Sequence, residues 1–508
     1  MIDKNQYIEL CEACNKILLL PNTQNARVAI PWLHVIREHP IILARYRDLF
    51  LPERSMKKTF SQIKFVVRCK VLWCRAIYRA INCNGQLWFT KDKLPENVDY
   101  LFISHLLNSN QYSQKEDFYF GSMPNDLIKN NRSVAVASIC HFSIRHSIFN
   151  KKFVKSRVPR LFLSSSLNLK SEIAIRKRLK KEANKLKRLA QKEQRSLYKS
   201  ILRGASKEAL STGAQATLRF EHQIHALITR LRPKVIVLPY EGHAFERIAF
   251  AAAREVSLNI KCISYQITGV FRMSNAIRRT LSAQYNPDII LTAGLDGKQE
   301  LEKSVLFKNI PISVLGSTRG IVEHNGMPIT KRLKGSPVCL VIPEGFESEC
   351  IHLFKFSLAC ALQRQDITFI WRLHPSLSFE KLGTIIQELN NLPHNIILSS
   401  DSIEKDIGRC AWVLYRGSTA IYKAISEGLR PLYLKLPNEI SIDPLYKMQK
   451  WRMVINSPVE LLSCISDDIG NNFKHHKSNL KMAKAICENQ FAKLNIEALS
   501  NVVIKRKK

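Results

Sequence analysis

Short apolar runs separated by longer amphipathic stretches recur along the chain. The runs are rich in β-branched and aromatic residues and show no strict polar–apolar alternation, which is typical of strands buried on both faces of a sheet. Because helical patterns lie between many of the runs, they predict strand–helix–strand units and parallel sheets. The predicted strands are 98–106, 133–140, 160–166, 234–239, 260–266, 288–294, 311–317, 337–343, 367–373, 395–400, 411–417 and 430–436.

A polar, glycine-bearing stretch with few apolar residues, 324–336, separates the strands into two blocks and predicts a linker. A chain of 508 residues is also too long for a single core. The predicted fold class is therefore α/β, with two Rossmann-like, doubly wound domains, a central cleft and extra N-terminal helices. The expected units are a helical basic region at 1–90, a first domain at 91–325 with a long basic helical insertion at 170–230, a second domain at 335–480, and a C-terminal helix and basic tail at 481–508.

The charge balance narrows the class of partner. The chain carries 78 Lys and Arg against 42 Asp and Glu, a formal net charge of +36. This excess predicts an anionic partner: nucleic acid, an acidic membrane surface or a phosphorylated ligand. Basic residues concentrate at 170–203, which predicts one long exposed helix, and at 61–81. The segment 61–81 suits either an anionic membrane surface or a core helix with a basic outer face.

Targeting and cysteine usage favour a cytoplasmic location, with peripheral attachment to the inner face of the membrane as one option. No apolar run is long enough for a spanning helix, and the first residues lack a secretory pattern. The 13 cysteines are scattered without framework spacing, which indicates reduced thiols.

The first chemical motif is the stretch ITFIWRLHPSLSFEK at 367–381. Arg372, His374 and Pro375 fall where a predicted strand ends, and the carboxyl edge of an open α/β sheet is its ligand side. Proline restricts the conformation of the residue before it, so the His374 imidazole has few directions available. An imidazole donates hydrogen bonds to phosphate oxygens and becomes cationic near an anion. A histidine in an ordinary turn is the alternative reading.

The second motif is VLYRGSTAIYKAISEG, in which Gly417, Ser418 and Thr419 join a predicted strand to a predicted helix at 418–428. Unsatisfied N–H groups at a helix start bind anions, glycine lets the backbone approach a ligand, and hydroxyls add donors. A plain N-cap is the alternative. Asp401 follows a third predicted strand, where it suits either ribose or base recognition or a simple turn.

The Arg-x-His-Pro of RLHP and the later GST resemble the paired motifs of bacterial GT-B-fold CMP-sugar glycosyltransferases, which transfer sialic acid, Kdo and similar keto-sugars to surface glycans. The resemblance covers mainly 230–440. It implies that His374 with Ser418 and Thr419 holds the donor phosphate, that Arg372 contacts the nucleotide and that Asp401 binds ribose or base. It also implies a CMP-sugar donor substrate, a glycan or glycolipid acceptor, and no cofactor. No Asp-x-Asp metal motif is present, so no metal site is expected.

The resemblance further implies a general base in an acid-acid-Gly motif of the first domain. This chain has Tyr240, Glu241 and Gly242, so tyrosine replaces the first acid. Glu241 is the first candidate for the base, with His243 and Glu246 as alternatives, and a helix-start acid favoured by the dipole is the structural alternative. The stretch PVCLVIPEGFE repeats the strand-Pro-Glu-Gly pattern and adds Glu344 as a further candidate site residue.

Three competing functions remain open at this level. A CDP-glycerol- or UDP-sugar-dependent transferase would share the fold. A nucleic-acid-binding protein would fit the charge, although no RNA-recognition or zinc-finger motif is present, so no nucleic acid partner is expected. A catalytically degenerate scaffold would explain the missing first acid.

Overall fold

Two parallel sheets organise the chain, as the sequence predicts. The computed structural model describes residues 2–51, 56–82, 85–142, 156–270, 272–318, 336–375, 377–471, 473–474 and 476–501. The predicted linker at 324–336 lies almost wholly outside these residues, as does the basic tail. Among the residues described, no helix combines the length and hydropathy needed to cross a bilayer.

The first sheet has eight strands in the order β1-β4-β3-β2-β5-β6-β7-β8. All neighbours are parallel except β1 and β4, which pair antiparallel at one edge. The chain moves outward from β2 in one direction through β4 and then in the other from β5, which is a doubly wound order. In chain order, β1 to β8 are Trp88–Phe89, Tyr100–Leu106, Val134–Cys140, Arg160–Leu163, Val235–Pro239, Lys261–Gln266, Ile289–Thr292 and Ile312–Val314.

The second sheet has six strands in the order β11-β10-β9-β12-β13-β14, and all of its pairs are parallel. Apolar clusters cover both faces of this sheet, which explains why its strands read as continuous apolar runs. In chain order, β9 to β14 are Val338–Ile342, Thr368–Trp371, Ile396–Leu398, Trp412–Tyr415, Arg430–Leu434 and Met453–Ile455. The α/β fold with two Rossmann-like domains is therefore confirmed.

Every predicted strand is present, and the sequence missed only β1 and β14 among the described strands. These two have two and three residues and lie at edges of their sheets. The helices are Lys4–Leu18, Asn25–Val28, Pro40–Leu43, Met56–Ile81, Met123–Lys129, Leu169–Lys192, Ser196–Glu208, Thr212–Leu231, Ala244–Val256, Leu295–Glu302, Glu347–Gln363, Phe379–Gly383, Ile403–Arg409, Ile421–Ser426, Pro458–Gly470, His476–Gln490 and Ile496–Ser500.

The basic segment 170–203 is not one exposed helix. The helix ends at Lys192, and the next begins at Ser196 and folds back, with the Ser206 hydroxyl donating to the Ala183 carbonyl at 2.7 Å. One face of Leu169–Lys192 is buried, so basic residues occupy only the outer face. Its two acids are buried and paired: Glu172 with Arg219, and Glu182 with Arg27. These buried pairs, hidden in a basic sequence, attach the helix to its neighbours.

The N-terminal helices share one apolar cluster with the helices between β4 and β5. Arg27 is fully buried in this region and donates from Nε to Glu182 at 2.6 Å. The residues expected as a separate helical region therefore pack as part of the first domain, and the stretch 31–40 reaches the cleft.

The chain returns to the first domain after its last long helix. The Ala492 N–H donates to the Ala293 carbonyl at 2.8 Å, and the Ser317 N–H donates to the Ala492 carbonyl at 2.8 Å. Gly316 has φ of +87°, and a Cβ there would overlap the Lys493 carbonyl oxygen, so glycine permits this close approach. Further along, the Tyr100 hydroxyl donates to the Leu499 carbonyl at 2.6 Å.

Candidate active site

Each sheet has one point where the chain reverses its direction of winding, and ligands bind outside the carboxyl ends of the strands at such points. In the first sheet the point lies between β2 and β5, and in the second between β9 and β12. Glu241 follows β5, and Glu344 follows β9. The sequence-predicted acids therefore stand at the two switch points.

The second switch point brings the two predicted phosphate motifs to one edge. Trp371 of β10 and Leu414 of β12 both pair with Val341 of β9, one from each side. Because neighbouring strands are roughly 4.8 Å apart, the ends of β10 and β12 are separated by about 10 Å. His374 and Ser418 each follow the end of one of these strands by three residues.

A cavity of about 580 Å³ lies over this edge. Arg372, His374, Ser418 and Thr419 all line it, so the structure brings these four predicted residues together. Thr318 lines it from the first domain, so the cavity lies between the two domains. The sequence motifs did not indicate three further lining residues: Tyr422, Lys423 and Phe491.

Ser418 and Thr419 lie in a turn before the helix rather than in its first turn. The helix begins at Ile421, not at residue 418 as the sequence predicts. The Ile421 and Tyr422 N–H groups donate to the Ser418 and Thr419 carbonyls at 3.3 Å. These bonds join residues three apart and form a tight turn where the sequence predicts an α-helical turn. Thr419 is exposed and Ser418 half-buried, and both line the cavity.

A buried ion cluster fixes the strand end just before this turn. Arg416 is fully buried and donates from Nε to Glu349 at 2.5 Å and from Nη2 to Glu439 at 2.7 Å. Its Nη1 also donates to the Leu434 carbonyl at 2.9 Å. The guanidinium thus ties β12 to the neighbouring strand and two other segments, which holds the turn at 417–419 in place.

Gly417 permits a carboxylate to lie against the backbone. A Cβ at this position would overlap Glu344 Oε1. The other oxygen, Oε2, lies 3.0 Å from His39 Nε2 of the first domain, and Glu344 Oε1 has no hydrogen-bond partner in the part of the chain that the structure describes. The sequence-predicted Gly417 and Glu344 are therefore direct neighbours in the cleft.

Arg372 and Asp401 both make hydrogen bonds within the second domain. Arg372 lines the cavity, but its Nη1 donates to the Asp401 carbonyl at 2.6 Å and to Asp406 Oδ2 at 2.8 Å. The Asp401 carboxylate accepts from Lys405 at 2.7 Å and from Arg409 at 3.1 Å. Asp401 is not among the residues that line the cavity, so the structure does not bring its side chain to the other predicted site residues.

Partial desolvation by the surrounding protein lowers the pKa of His374 below its usual range, although the residue is exposed, and the Glu344 carboxylate partly offsets this effect. The imidazole is therefore neutral near pH 7 in the absence of an anion. A neutral imidazole still donates one hydrogen bond, and a bound phosphate would favour its protonated form.

At the first switch point Glu241 is already surrounded by donors. Arg37 Nη2 donates to Glu241 Oε2, the Thr268 hydroxyl donates to Oε1 at 3.1 Å, and His243 Nε2 lies 3.1 Å from Oε2. Burial alone would raise the pKa of Glu241, but Arg37 and His243 hold it well below its usual range. Glu241 is therefore a carboxylate at neutral pH, with its basicity reduced by the ion pair.

The Glu246 carboxylate is held by backbone N–H groups of the loop that precedes its helix. Its carboxylate accepts from the N–H groups of Glu241, Gly242 and His243 at 2.8–3.2 Å. It is fully buried, and burial raises its pKa to about 7. It thus shapes the loop that carries Glu241 and His243, and its oxygens face backbone rather than the cleft.

Two histidines that the sequence reading did not select lie beside this loop. His105 Nδ1 is 2.9 Å from His141 Nε2, at the ends of β2 and β3. The His105 ring also lies 5.0 Å from the Phe245 ring, and burial followed by the His141 charge lowers the pKa of His105 to about 3. Within the described residues, no group of three or more His, Cys, Asp or Glu side chains is arranged to hold a metal ion.

Arg37 and His39 are the cleft residues that the sequence reading missed most clearly. They belong to the stretch REHP at 37–40, which repeats the Arg-x-His-Pro pattern of 372–375. This repetition is the signal that would have revealed them. Arg37 contacts Glu241 and His39 contacts Glu344, so one short segment connects the two switch points.

Solved structures with similar architecture include nucleotide-sugar enzymes. The Staphylococcus aureus MnaA–UDP structure is 11% identical over 80% of this chain and 98% of that chain, with a TM-score of 0.45. The UDP-GlcNAc 2-epimerase from Neisseria meningitidis bound to UDP-GlcNAc is 14% identical over 80% and 98%, with a TM-score of 0.43. The calicheamicin glycosyltransferase CalG4 is 10% identical over 81% and 98%, with a TM-score of 0.44.

No protein-family model matches the sequence, and no curated protein matches it. The similarity to these solved structures is at low identity and with TM-scores below 0.5, and no specific family is shown. The function therefore has to be argued from the residues of the cleft.

Proposed function

We propose that the chain is a glycosyltransferase that takes a sugar from a nucleotide-activated donor bound in the cleft. The observation that carries this proposal is the meeting of His374, Ser418 and Thr419 in one cavity between the domains. They come from separate strand ends at a topological switch point, where open α/β sheets bind nucleotides. Thr318 closes the cavity from the other domain.

The donor phosphate is assigned to the space between these residues. The two hydroxyls and the imidazole supply neutral donors, and Arg372 adds positive charge at the cavity wall. As the glycosidic bond breaks, negative charge grows on the departing phosphate. Donors that bind this charge more tightly in the transition state than in the ground state lower the barrier.

We assign Glu344 to the sugar of the donor. Its carboxylate does not line the cavity itself but lies against Gly417, next to Ser418 in the chain. Its Oε1 is buried and has no hydrogen-bond partner among the described residues, while its Oε2 lies beside His39. A buried acceptor without a partner is costly, so a donor hydroxyl that reached Oε1 would satisfy it.

Glu241 is the proposed general base, acting on an acceptor hydroxyl that enters from the first domain. Its carboxylate is ionised and lies at the first switch point, but the ion pair with Arg37 weakens it as a base. Displacement of Arg37 towards a bound anionic substrate would restore its basicity. His243, 3.1 Å away, is the alternative base, and Glu246 supports both through the loop backbone.

The finer assignment is a CMP-activated keto-sugar, such as sialic acid or Kdo, transferred to a bacterial surface glycan or lipid-linked acceptor. It rests on the resemblance of RLHP and GST to the CMP-sugar enzymes. Asp401, which the same resemblance assigns to ribose or base, has its carboxylate paired with Lys405 and Arg409. Nucleotide choice is therefore the point that an experiment has to decide.

Calorimetric titration of the full chain with CMP, UDP, CDP and GDP tests the site. CMP is expected to bind most tightly, and Ser418→Ala with Thr419→Ala should weaken its binding by about 10-fold for each lost hydrogen bond to the phosphate. Ser463→Ala, an exposed serine on another helix, is the matched control. Tighter binding of UDP than of CMP would overturn the assignment of CMP but not the proposal that the donor is a nucleotide-activated sugar.

Turnover is measured as release of free nucleotide from a CMP-keto-sugar or a UDP-sugar in the presence of acceptor. Release of CMP supports the proposal, and transfer of glycerol phosphate from CDP-glycerol would replace it. Nucleotide binding without any transfer would favour the degenerate scaffold. Salt-sensitive oligonucleotide binding without nucleotide-sugar binding would favour a nucleic-acid-binding protein.

A further inference from the structure

The helix Met56–Ile81 has two apolar faces, and only one of them packs against other residues that the structure describes. The inner face contains Cys69, Ala76 and Ala80, and Ala80 is buried. Trp73, on the same side, lies under the Arg176 guanidinium at 5.2 Å. This face rests on the helices that connect β4 and β5. The inner face accounts for the attachment of the helix to the first domain and leaves the outer face to solvent.

The outer face carries an apolar stripe from Phe60 to Ile81. At 3.6 residues per turn, Phe60, Val67, Val71 and Tyr78 project within about 40° of one another. Phe60 is 72% exposed, Tyr78 71% and Val67 54%. Ile63 and Ile81 widen the stripe and are also exposed. A contiguous row of exposed large apolar side chains marks a surface that contacts an apolar phase or partner.

The charge beside this stripe is of one sign. The helix sequence contains seven Lys and Arg and no Asp or Glu. Lys64, Arg68, Arg75 and Arg79 are exposed and project about 40–100° from the centre of the stripe, so they form one flank of it. Lysine and arginine stems extend along apolar surface while their charged ends reach polar headgroups.

We propose that the outer face of Met56–Ile81 is a docking surface for an anionic lipid bilayer. The helix would lie parallel to the membrane, with the stripe residues at the acyl boundary and the basic flank among anionic headgroups. No helix in the part of the chain that the structure describes can span a bilayer, so this would be contact with a surface. The inference concerns a surface outside the cleft and does not depend on the proposed transfer reaction.

Charge complementarity selects this occupant over the other candidates. A second copy packed through the same stripe would bring two basic flanks together without an acidic residue on either helix. A nucleic acid would match the flank, but its phosphates would leave the apolar stripe in water. An anionic bilayer satisfies both the stripe and the flank.

Sedimentation with vesicles tests the proposal on the full chain. The protein should sediment with vesicles containing phosphatidylglycerol and much less with phosphatidylcholine alone. Val67→Asp with Val71→Asp should abolish binding, because it places two carboxylates in the stripe. The matched control is Leu258→Asp with Val305→Asp, which are 84% and 68% exposed and lie elsewhere. Circular dichroism and nucleotide titration of each variant show whether the fold is retained.

The charge contribution is measured separately. Arg68→Gln with Arg75→Gln and Arg79→Gln should weaken binding on the order of 100-fold, since each basic residue near an anionic surface contributes about 1 kcal/mol. Lys450→Gln with Lys477→Gln and Lys481→Gln removes the same charge from another exposed region and should leave binding almost unchanged.

Three outcomes would overturn the inference. The first is equal vesicle binding by the aspartate variant and its folded parent. The second is a stripe-dependent dimer that persists when vesicles are absent and does not bind them. The third is flank-dependent binding to an oligonucleotide in place of vesicles.

Discussion

His39 Nε2 lies 3.0 Å from Glu344 Oε2, and this contact joins the first domain to the first strand end of the second. Two residues earlier, Arg37 is paired with Glu241 at the other switch point. The segment between them therefore couples the carboxylate on the proposed acceptor side to the carboxylate on the donor side.

Gly417→Ala should damage the donor site through Glu344. The added Cβ would overlap Glu344 Oε1 and displace the carboxylate from His39, so nucleotide affinity should fall and stability should fall by about 1–3 kcal/mol. Chemical denaturation and calorimetry measure the two effects. In a Glu344→Ala background the same substitution should have little further effect. Gly408→Ala is the control, because a Cβ there meets nothing within 4 Å.

Arg416→Met should be strongly destabilising. The substitution leaves Glu349 and Glu439 buried without their shared guanidinium, and removal of one partner from a buried ion cluster costs about 3–5 kcal/mol. Arg364→Met, which removes an exposed pair with Asp366, should cost less than about 1 kcal/mol. Urea unfolding of both variants measures the difference. Equal stabilities would contradict the anchoring role of Arg416.

Nucleotide binding should strengthen as the pH is lowered below neutrality. Partial desolvation holds the pKa of His374 below its usual range in the free protein, and a bound phosphate would raise it, so binding is coupled to uptake of a proton. Affinity should therefore rise as the pH falls through the raised pKa of the complex and level off below the pKa of the free protein. Calorimetry across this range measures the slope, and His374→Gln should remove the dependence that this imidazole contributes.

Glu241→Gln should reduce turnover by about 10²–10⁴-fold while leaving nucleotide affinity nearly unchanged. Glutamine keeps the size of the side chain and its contact with Thr268, but it cannot accept the proton of an acceptor hydroxyl. His243→Gln is made in parallel, because His243 is the alternative base. Full turnover in Glu241→Gln together with a large loss in His243→Gln would transfer the role to the histidine.

The sequence predicted those features that depend on short stretches of chain. The strands were recognisable because burial on both faces leaves apolar runs, and His374 and Ser418 could be placed at one edge because parallel strands share their carboxyl ends. The roles of Arg37 and His39 could not be derived from strand positions, since both residues lie in a loop more than 200 residues before Glu241 in sequence. The Asp401 carboxylate does not line the cavity and is paired with Lys405 and Arg409, which the local helix supplies.

The return of the chain to the first domain limits the ways in which the cleft between the domains can open. Residues 492–495 are held by backbone hydrogen bonds to Ala293, Leu315 and Ser317. The helix just before them packs on the second domain, and it also contacts the helix Leu295–Glu302 of the first domain. Sliding of one domain past the other would break these hydrogen bonds, whereas rotation about an axis near residue 492 would preserve them. Access to the cavity should accordingly follow a single hinge-like opening, with Phe491 beside the pivot and on the cavity wall.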